Sequence, residues 1–297
     1  MIRPVHALRF ALSQIRPRAG GAGTFHAAAL CCGLFTAALP GAAQAQSHCI
    51  ALAQDTPGVE YVHKASFGTP LPDHTVRINY VAHATFVLET PAGVTAATDY
   101  TGFLGATAFL PDIVTMNIAH SSHFTRNPDP AIPHVLPGWG LGETPAQHNL
   151  RVEDVLVRNV PTDIRSAWQD GRRDNGNSIF IFEVAGLCIG HLGHLHHEPS
   201  EAQYAAIGRL DVVMAPVDGG YTLDRATMVR VLTRLRSSLI LPMHWFGQSN
   251  LDAFLADMEA HFTVVDRGDS AIEVSLRSLP ATPTVWLLRP RYLHDDR

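Results

Sequence analysis

The chain of 297 residues contains a single lysine, Lys64, and only 16% of its residues are charged. Its 22 basic residues are outnumbered by 27 acidic ones, so the basic stripe that a nucleic-acid binder needs is missing. Cysteine is scarce as well. Cys31, Cys32, Cys49 and Cys188 are the four present, too few for a fold built on disulfides. The absence of a Gly-x-Ser-x-Gly elbow argues against a serine α/β-hydrolase. No Gly-x4-Gly-Lys loop occurs, and no helix pattern follows Gly138-Trp-Gly-Leu-Gly142 to make it a dinucleotide loop. Cys49 stands in no thiol-protease motif. What is plentiful is histidine, 17 residues in all.

The N-terminus has to be set apart first. Arg3, Arg9, Arg16 and Arg18 come without an acidic residue, an apolar run follows from Phe25 to Leu39, and Ala43-Gln-Ala45 is a small-x-small cleavage signal. This reads as a secretory signal peptide over residues 1–45, too short an apolar run for a membrane span. It implies a periplasmic or secreted protein. Leu30 fits poorly with lipidation at Cys31. Residues 46–75 read as an N-terminal extension and 76–297 as one domain. Once the leader is gone, Cys49 and Cys188 remain. An oxidising compartment permits a bond between them, but Cys188 lies inside a strand, so two buried free thiols are expected. The apolar content of 46% is enough for a core without staples.

Along the domain, Val76 to Glu89 alternates like one long strand, with Thr90-Pro-Ala-Gly93 as a turn and Val94 to Tyr100 as its partner. Asp112 to Ala119 is a buried strand. From Phe124 to Thr144 proline and glycine suggest an irregular loop. Val152 to Val160 is a strand, and Ser166 to Asn177 a polar loop. Ser178 to Val184, a turn, and Leu187 to His191 form a hairpin. Ser200-Glu-Ala-Gln203 has the spacing of a capping box, opening a helix to about Leu210. Strands at 211–217, 237–244, 271–275 and 284–288 alternate with helices near 222–235 and 251–262. Strand-rich segments followed by strand–helix alternation predict a one-domain α/β sandwich.

Three histidine sites each close an apolar strand: His120-Ser-Ser-His123, the cluster His191, His194, His196 and His197, and His244. Neutral imidazole is the commonest metal ligand near pH 7, and three ligands plus an open position make a catalytic zinc site. Any one of these histidines alone would more often be a packed or surface residue. Loops at one edge of packed sheets bring three such ends together.

The order and surroundings of these sites resemble the metallo-β-lactamase fold superfamily, and within it the L-ascorbate-6-phosphate lactonase branch of metal-dependent hydrolases. Val81-Ala-His-Ala-Thr-Phe86, Thr98-Asp-Tyr100, Gly190 to His197, Asp211 to Tyr221 and Leu241-Pro-Met-His244 carry the likeness. It implies an αββα sandwich of two mixed β-sheets flanked by helices, with metal at one edge. The ligand set departs from the family's. In place of His-x-His-x-Asp-His the chain reads Ile118-Ala-His120-Ser-Ser122-His123, no histidine follows the strand near Val160, and His194 stands where an aspartate bridges two metals. The resemblance therefore implies one metal, held by His123, His194 and His244, with His120 as a fourth ligand or hydrogen-bonding group. Three imidazoles suit Zn²⁺, and Fe or Mn are the other ions for this donor set. Such an ion lowers the pKa of a bound water toward 7 for attack on a carbonyl or phosphoryl centre. The family's water-orienting aspartate is missing, and His120, His191 or Asp99 is expected to take its catalytic place.

Around that centre the resemblance puts His83 near the site, a packed strand histidine being the other reading. Tyr221 and Trp245 either line the pocket or, as aromatic residues there more often do, form core or wall. His196 and His197 are expected to lie outside the ligands. Arg165, Arg172 and Arg173 either hold an anionic substrate or cover a solvated loop. The expectation is a periplasmic hydrolase of a small-molecule ester, lactone or phosphoester, without nucleic-acid partners or a membrane span. The alternative is a non-catalytic metal-binding or sensing protein on the same scaffold.

Overall fold

The structure is a computed structural model that describes residues 47–51, 67–141, 143–166 and 171–295. The expected leader over residues 1–45 lies outside the described residues, as do residues 52–66 of the extension. A short helix α1 (His48–Ala51) comes first, then a hairpin of β1 (Val76–Ala82) and β2 (Thr85–Glu89), then β3 (Thr95–Ala97) and β4 (Gly105–Ala106). Next come β5 (Ile113–Met116), β6 (His134–Pro137), β7 (Asn149–Val152), β8 (Val155–Arg165), β9 (Arg172–Val184) and β10 (Leu187–His191). The second half alternates: α2 (Glu201–Ile207), β11 (Val212–Pro216), α3 (Arg225–Leu235), β12 (Leu239–Met243) and α4 (Gln248–Met258). It closes with β13 (Thr263–Asp266), β14 (Ala271–Val274), β15 (Thr284–Leu287) and β16 (Leu293–His294).

Two mixed sheets result. One has the order β14-β1-β2-β3-β5-β6 and the other β13-β15-β12-β11-β10-β9-β8-β7. Alternation along β9 shows why they stack. Phe180 and Phe182 enter the core between the sheets with Phe86, Leu88, Met214 and Leu241. Ile179 and Ile181 face the other way, into a second core with Met228 and Leu232 of α3 and Leu251 and Phe254 of α4. Among the described residues, the outer face of the six-stranded sheet is covered by loop residues such as Tyr100, Leu104 and Ile132. This is the expected sandwich of two sheets with helices, as the sequence pattern required. The capping box is present too: Ser200 accepts from the amide of Gln203, whose side chain accepts from the amide of Ser200.

Four local expectations need correction, the first being the loop from Phe124 to Thr144, which contains strand β6 paired with β5. Val76 to Glu89 is two strands, because the chain reverses at His83 with φ +40° and Ala82 pairs with Thr85. No glycine or proline marks that turn. Tertiary bonds hold it instead, since the His83 carbonyl accepts from the Tyr80 hydroxyl at 2.7 Å and from the His244 amide at 2.9 Å. The polar stretch up to Asn177 is largely strand: Arg172 pairs with Arg165 and Arg173 with Ile164. Arg172 to Asp174 are all exposed, so the start of β9 shows no buried face to read. Finally, Cys49 and Cys188 are not free thiols but form a disulfide with Cα atoms 5.8 Å apart. Placing Cys188 in a strand does not prevent this, because α1 lies against the β10 strand on its outward side.

Candidate metal centre

The ends of β3, β5, β10, β11 and β12 open onto one edge of the sandwich, and the turn between β1 and β2 joins them there. In open α/β sheets ligands bind outside the carboxyl ends of strands. Asp99 lies two residues past β3, His120 and His123 in the loop after β5, His194 and His196 after β10, Asp218 after β11, and His244 directly after β12. Three of the residues gathered here hold a backbone conformation uncommon outside glycine: His83, Asp99 (φ +39°) and His244 (φ +60°). Backbone strain of this kind clusters at functional sites.

The four residues expected as ligands meet. His123 Nε2 is 3.1 Å from His244 Nε2, and His120 Nε2 is 2.9 Å from His194 Nε2. The His194 ring centroid is 4.7 Å from that of His123 and 4.8 Å from that of His244. Each Nδ1 is occupied from behind. His123 donates to Asp99 Oδ2 at 2.6 Å, His244 to Asp218 Oδ2 at 2.9 Å, and His120 Nδ1 pairs with Ser122 Oγ at 2.7 Å. His194 Nδ1 meets His196 Nε2. Carboxylates behind histidines in this way fix the tautomer and orient metal ligands.

Burial sets the charge state. It pushes His123 and His194 far below the usual imidazole range, with neighbouring imidazoles adding to the effect. His83 and His196 are each brought down to about 3, again mainly by burial. Neutral imidazole is the form that binds metal. Burial raises Asp99 to about 6, opposed by His191 and by Asn117, which donates to its Oδ1 at 2.8 Å. For Asp218 burial acts in the same direction, but hydrogen bonds from His244, Thr222 and Gly220 outweigh it and hold the carboxyl low.

The donor set fits a cation. With their protons given to Asp99 and Asp218, His123 and His244 turn two lone pairs toward each other across 3.1 Å, a repulsive arrangement without positive charge between them. His83, His120, His123 and His244 each offer a ring nitrogen, and these atoms all lie within 4.8 Å of one another. His83 Nε2 is buried and meets no partner. His83 therefore belongs to the cluster, where the sequence left it undecided.

Other expectations sort themselves by geometry. Both oxygens of Asp99 are engaged by His123 and Asn117, so it backs a histidine. His191 donates from Nε2 to the Ala84 carbonyl and accepts at Nδ1 from the Gly193 amide, which leaves neither nitrogen for a substrate. The Arg165 guanidinium is turned onto the carbonyls of Gly220, Tyr221 and Thr222, and Arg172 pairs with Asp163 and Asp174. Trp245 packs against Tyr80 in the core. Phe246 takes the mouth instead, 57% exposed and 5.2 Å from the His244 ring, with Tyr221, 68% exposed, 5.0 Å beyond it. Sequence reading missed Asn117, Asp218 and Phe246. Asp218 alone left a signal, an acid directly after an apolar strand and before two glycines.

A family model described as a beta-lactamase superfamily domain matches residues 77–244, more than half of the chain. No curated protein matches significantly. Among solved structures, a protein from Thermotoga maritima described as a Zn-dependent hydrolase of the metallo-β-lactamase superfamily is similar, at 24% identity and a TM-score of 0.50 over 72% of this chain and 98% of that one. A metallo hydrolase from the archaeon Ignicoccus hospitalis matches at 18% identity and a TM-score of 0.46, over 63% of this chain and 91% of its own. At 24% identity the likeness to the Thermotoga maritima structure is one of fold.

Proposed function

This chain belongs to the metallo-β-lactamase superfamily, and on that footing we propose that it is an exported metal-dependent hydrolase of a small-molecule ester, lactone or phosphoester. The observation that carries the reading is the pair of carboxylate-backed histidines, His123 and His244, whose Nε2 atoms face each other at 3.1 Å. One zinc ion held by these two and His120, with His194 against them, is the centre proposed. When bound, such an ion supplies a Lewis acid and a nucleophilic water at neutral pH.

The chain's own groups do the rest. Asp99 and Asp218 hold His123 and His244 in the tautomer that presents Nε2. His120, the exposed member, faces the entrance with Ser122 fixing its ring. Tyr221 and Phe246 give an apolar wall beside the centre. With the Arg165 charge already bonded to three carbonyls, a neutral ester or lactone is favoured over a phosphoester. The Cys49–Cys188 disulfide supports an oxidising compartment, in keeping with a leader over residues 1–45. Among the described residues no helix is long and apolar enough to cross a membrane.

Elemental analysis of the purified protein, paired with a panel of lactones, esters and phosphodiesters, tests the proposal. The expected result is one equivalent of zinc and turnover of a neutral ester or lactone that His244→Ala abolishes. Stoichiometric metal without turnover of any panel member would leave a binding protein, and no metal at all would remove the mechanism.

A further inference from the structure

The hydrogen bonds around His194 can be followed proton by proton from a donor that has no choice of role. The backbone amide of Arg165 donates to His196 Nδ1, so neutral His196 carries its hydrogen on Nε2. That hydrogen is given to His194 Nδ1. A neutral imidazole with an accepting Nδ1 must be protonated at Nε2. His194 therefore points an N–H, not a lone pair, at His120 Nε2 2.9 Å away. His120 Nε2 accepts, which leaves the His120 hydrogen on Nδ1, where Ser122 Oγ takes it at 2.7 Å. The chain of four bonds is consistent from end to end.

The lone pairs facing the centre thus belong to His120, His123 and His244. The residue that joins them is His83, whose ring nitrogen lies within 4.8 Å of theirs. Its ring centroid is 4.0 Å from that of His244 and 5.5 Å from that of His123. The turn that presents it is built for the purpose, with the His83 carbonyl pinned by the Tyr80 hydroxyl and by the amide of His244 itself. We propose that His83, and not His194, completes the ligand set with His120, His123 and His244, and that His194 presents its Nε2–H to the site as a hydrogen-bond donor. Four imidazoles leave the ion open to a water or substrate oxygen only as a fifth ligand. With the His120 lone pair on the ion, this His194 N–H is free to hold that oxygen. At this edge of the fold a donor thus occupies the place where the resemblance put a metal-bridging carboxylate. The assignment rests on the metal-centre reading above.

Two variants decide it, His83→Asn, since asparagine tolerates positive φ, and His194→Gln, which retains an N–H donor. Each full-length protein is loaded with Zn²⁺. Chelator competition then gives the affinity, and zinc-edge X-ray absorption gives the number of bound imidazoles. Wild type is expected to show four imidazoles and His194→Gln to keep them, with affinity close to wild type. His83→Asn is expected to lose one imidazole, and more affinity than the roughly 10–100-fold that removing an outer partner costs. Far-UV circular dichroism of the metal-free proteins checks the fold, with His83→Gln replacing the asparagine variant where the turn is disturbed. The reverse pattern, His194→Gln losing an imidazole while His83→Asn loses none, overturns this assignment and leaves the metal centre standing. A wild-type protein that binds no zinc overturns both.

Discussion

Asp99 and Asp218 act alike on two different histidines, and each is reached from a separate strand end. Asp99 is the cleaner to test, because its two oxygens accept from only two side chains, His123 and Asn117. An amide in its place would turn an NH₂ group toward one of two donors, releasing either the His123 ring or the Asn117 side chain. Asp99→Asn is therefore expected to weaken zinc binding about 10–100-fold, measured by chelator competition. An affinity equal to that of the wild type would show that His123 holds its tautomer without the carboxylate. At this scale the histidines were legible, because each ends an apolar run. Phe246 was not, since a residue after a strand end gives no hint of which of two neighbouring aromatic side chains turns outward. Here Trp245 went to the core and Phe246 to the mouth.

The loop between β10 and α2 that carries His194 and His196 turns at Gly193, with φ +58°. A methyl group there would come within 3.0 Å of Asn177 Oδ1 and Asn117 Nδ2. Asn177 accepts from the His194 amide, and Asn117 holds Asp99. Gly193→Ala should then cost about 1–3 kcal/mol from its backbone conformation alone and weaken zinc binding through both asparagines. Urea unfolding and zinc competition on one preparation check this, and unchanged values in both would refute it. Long, periodic elements such as the β9–β10 hairpin and the capped α2 were readable because local pattern and final structure agree. The β1–β2 turn was not, because its conformation is held by Tyr80 and His244, which a reader of the local residues does not see. The first residues of β9, Arg172 to Asp174, failed for the opposite reason: all exposed, they carry no alternation.

For the molecule as a whole, the disulfide ties α1 to β10 across 139 positions of sequence. Beside it Glu183 accepts from the His48 amide at 2.9 Å and from Arg158 Nε at 2.7 Å. Reduction, or Cys49→Ser, is expected to lower stability by about 2–4 kcal/mol, read from the urea midpoint with and without reductant. Zinc stoichiometry should not change, since the bond lies in the outer core with α3 and α4 and away from the histidines. Loss of zinc on reduction would contradict that separation. The amino-acid order by itself determined that strands would precede strand–helix alternation, that two sheets would stack, and that histidines would sit where strands run out. These follow from periodicity and from the polarity of single residues, both local properties. Tertiary structure alone decided which histidines face one another, which nitrogen of each carries a proton, and that Cys49 meets Cys188. Those outcomes depend on partners scores of residues apart in the chain, and an imidazole's tautomer is set by the groups around it.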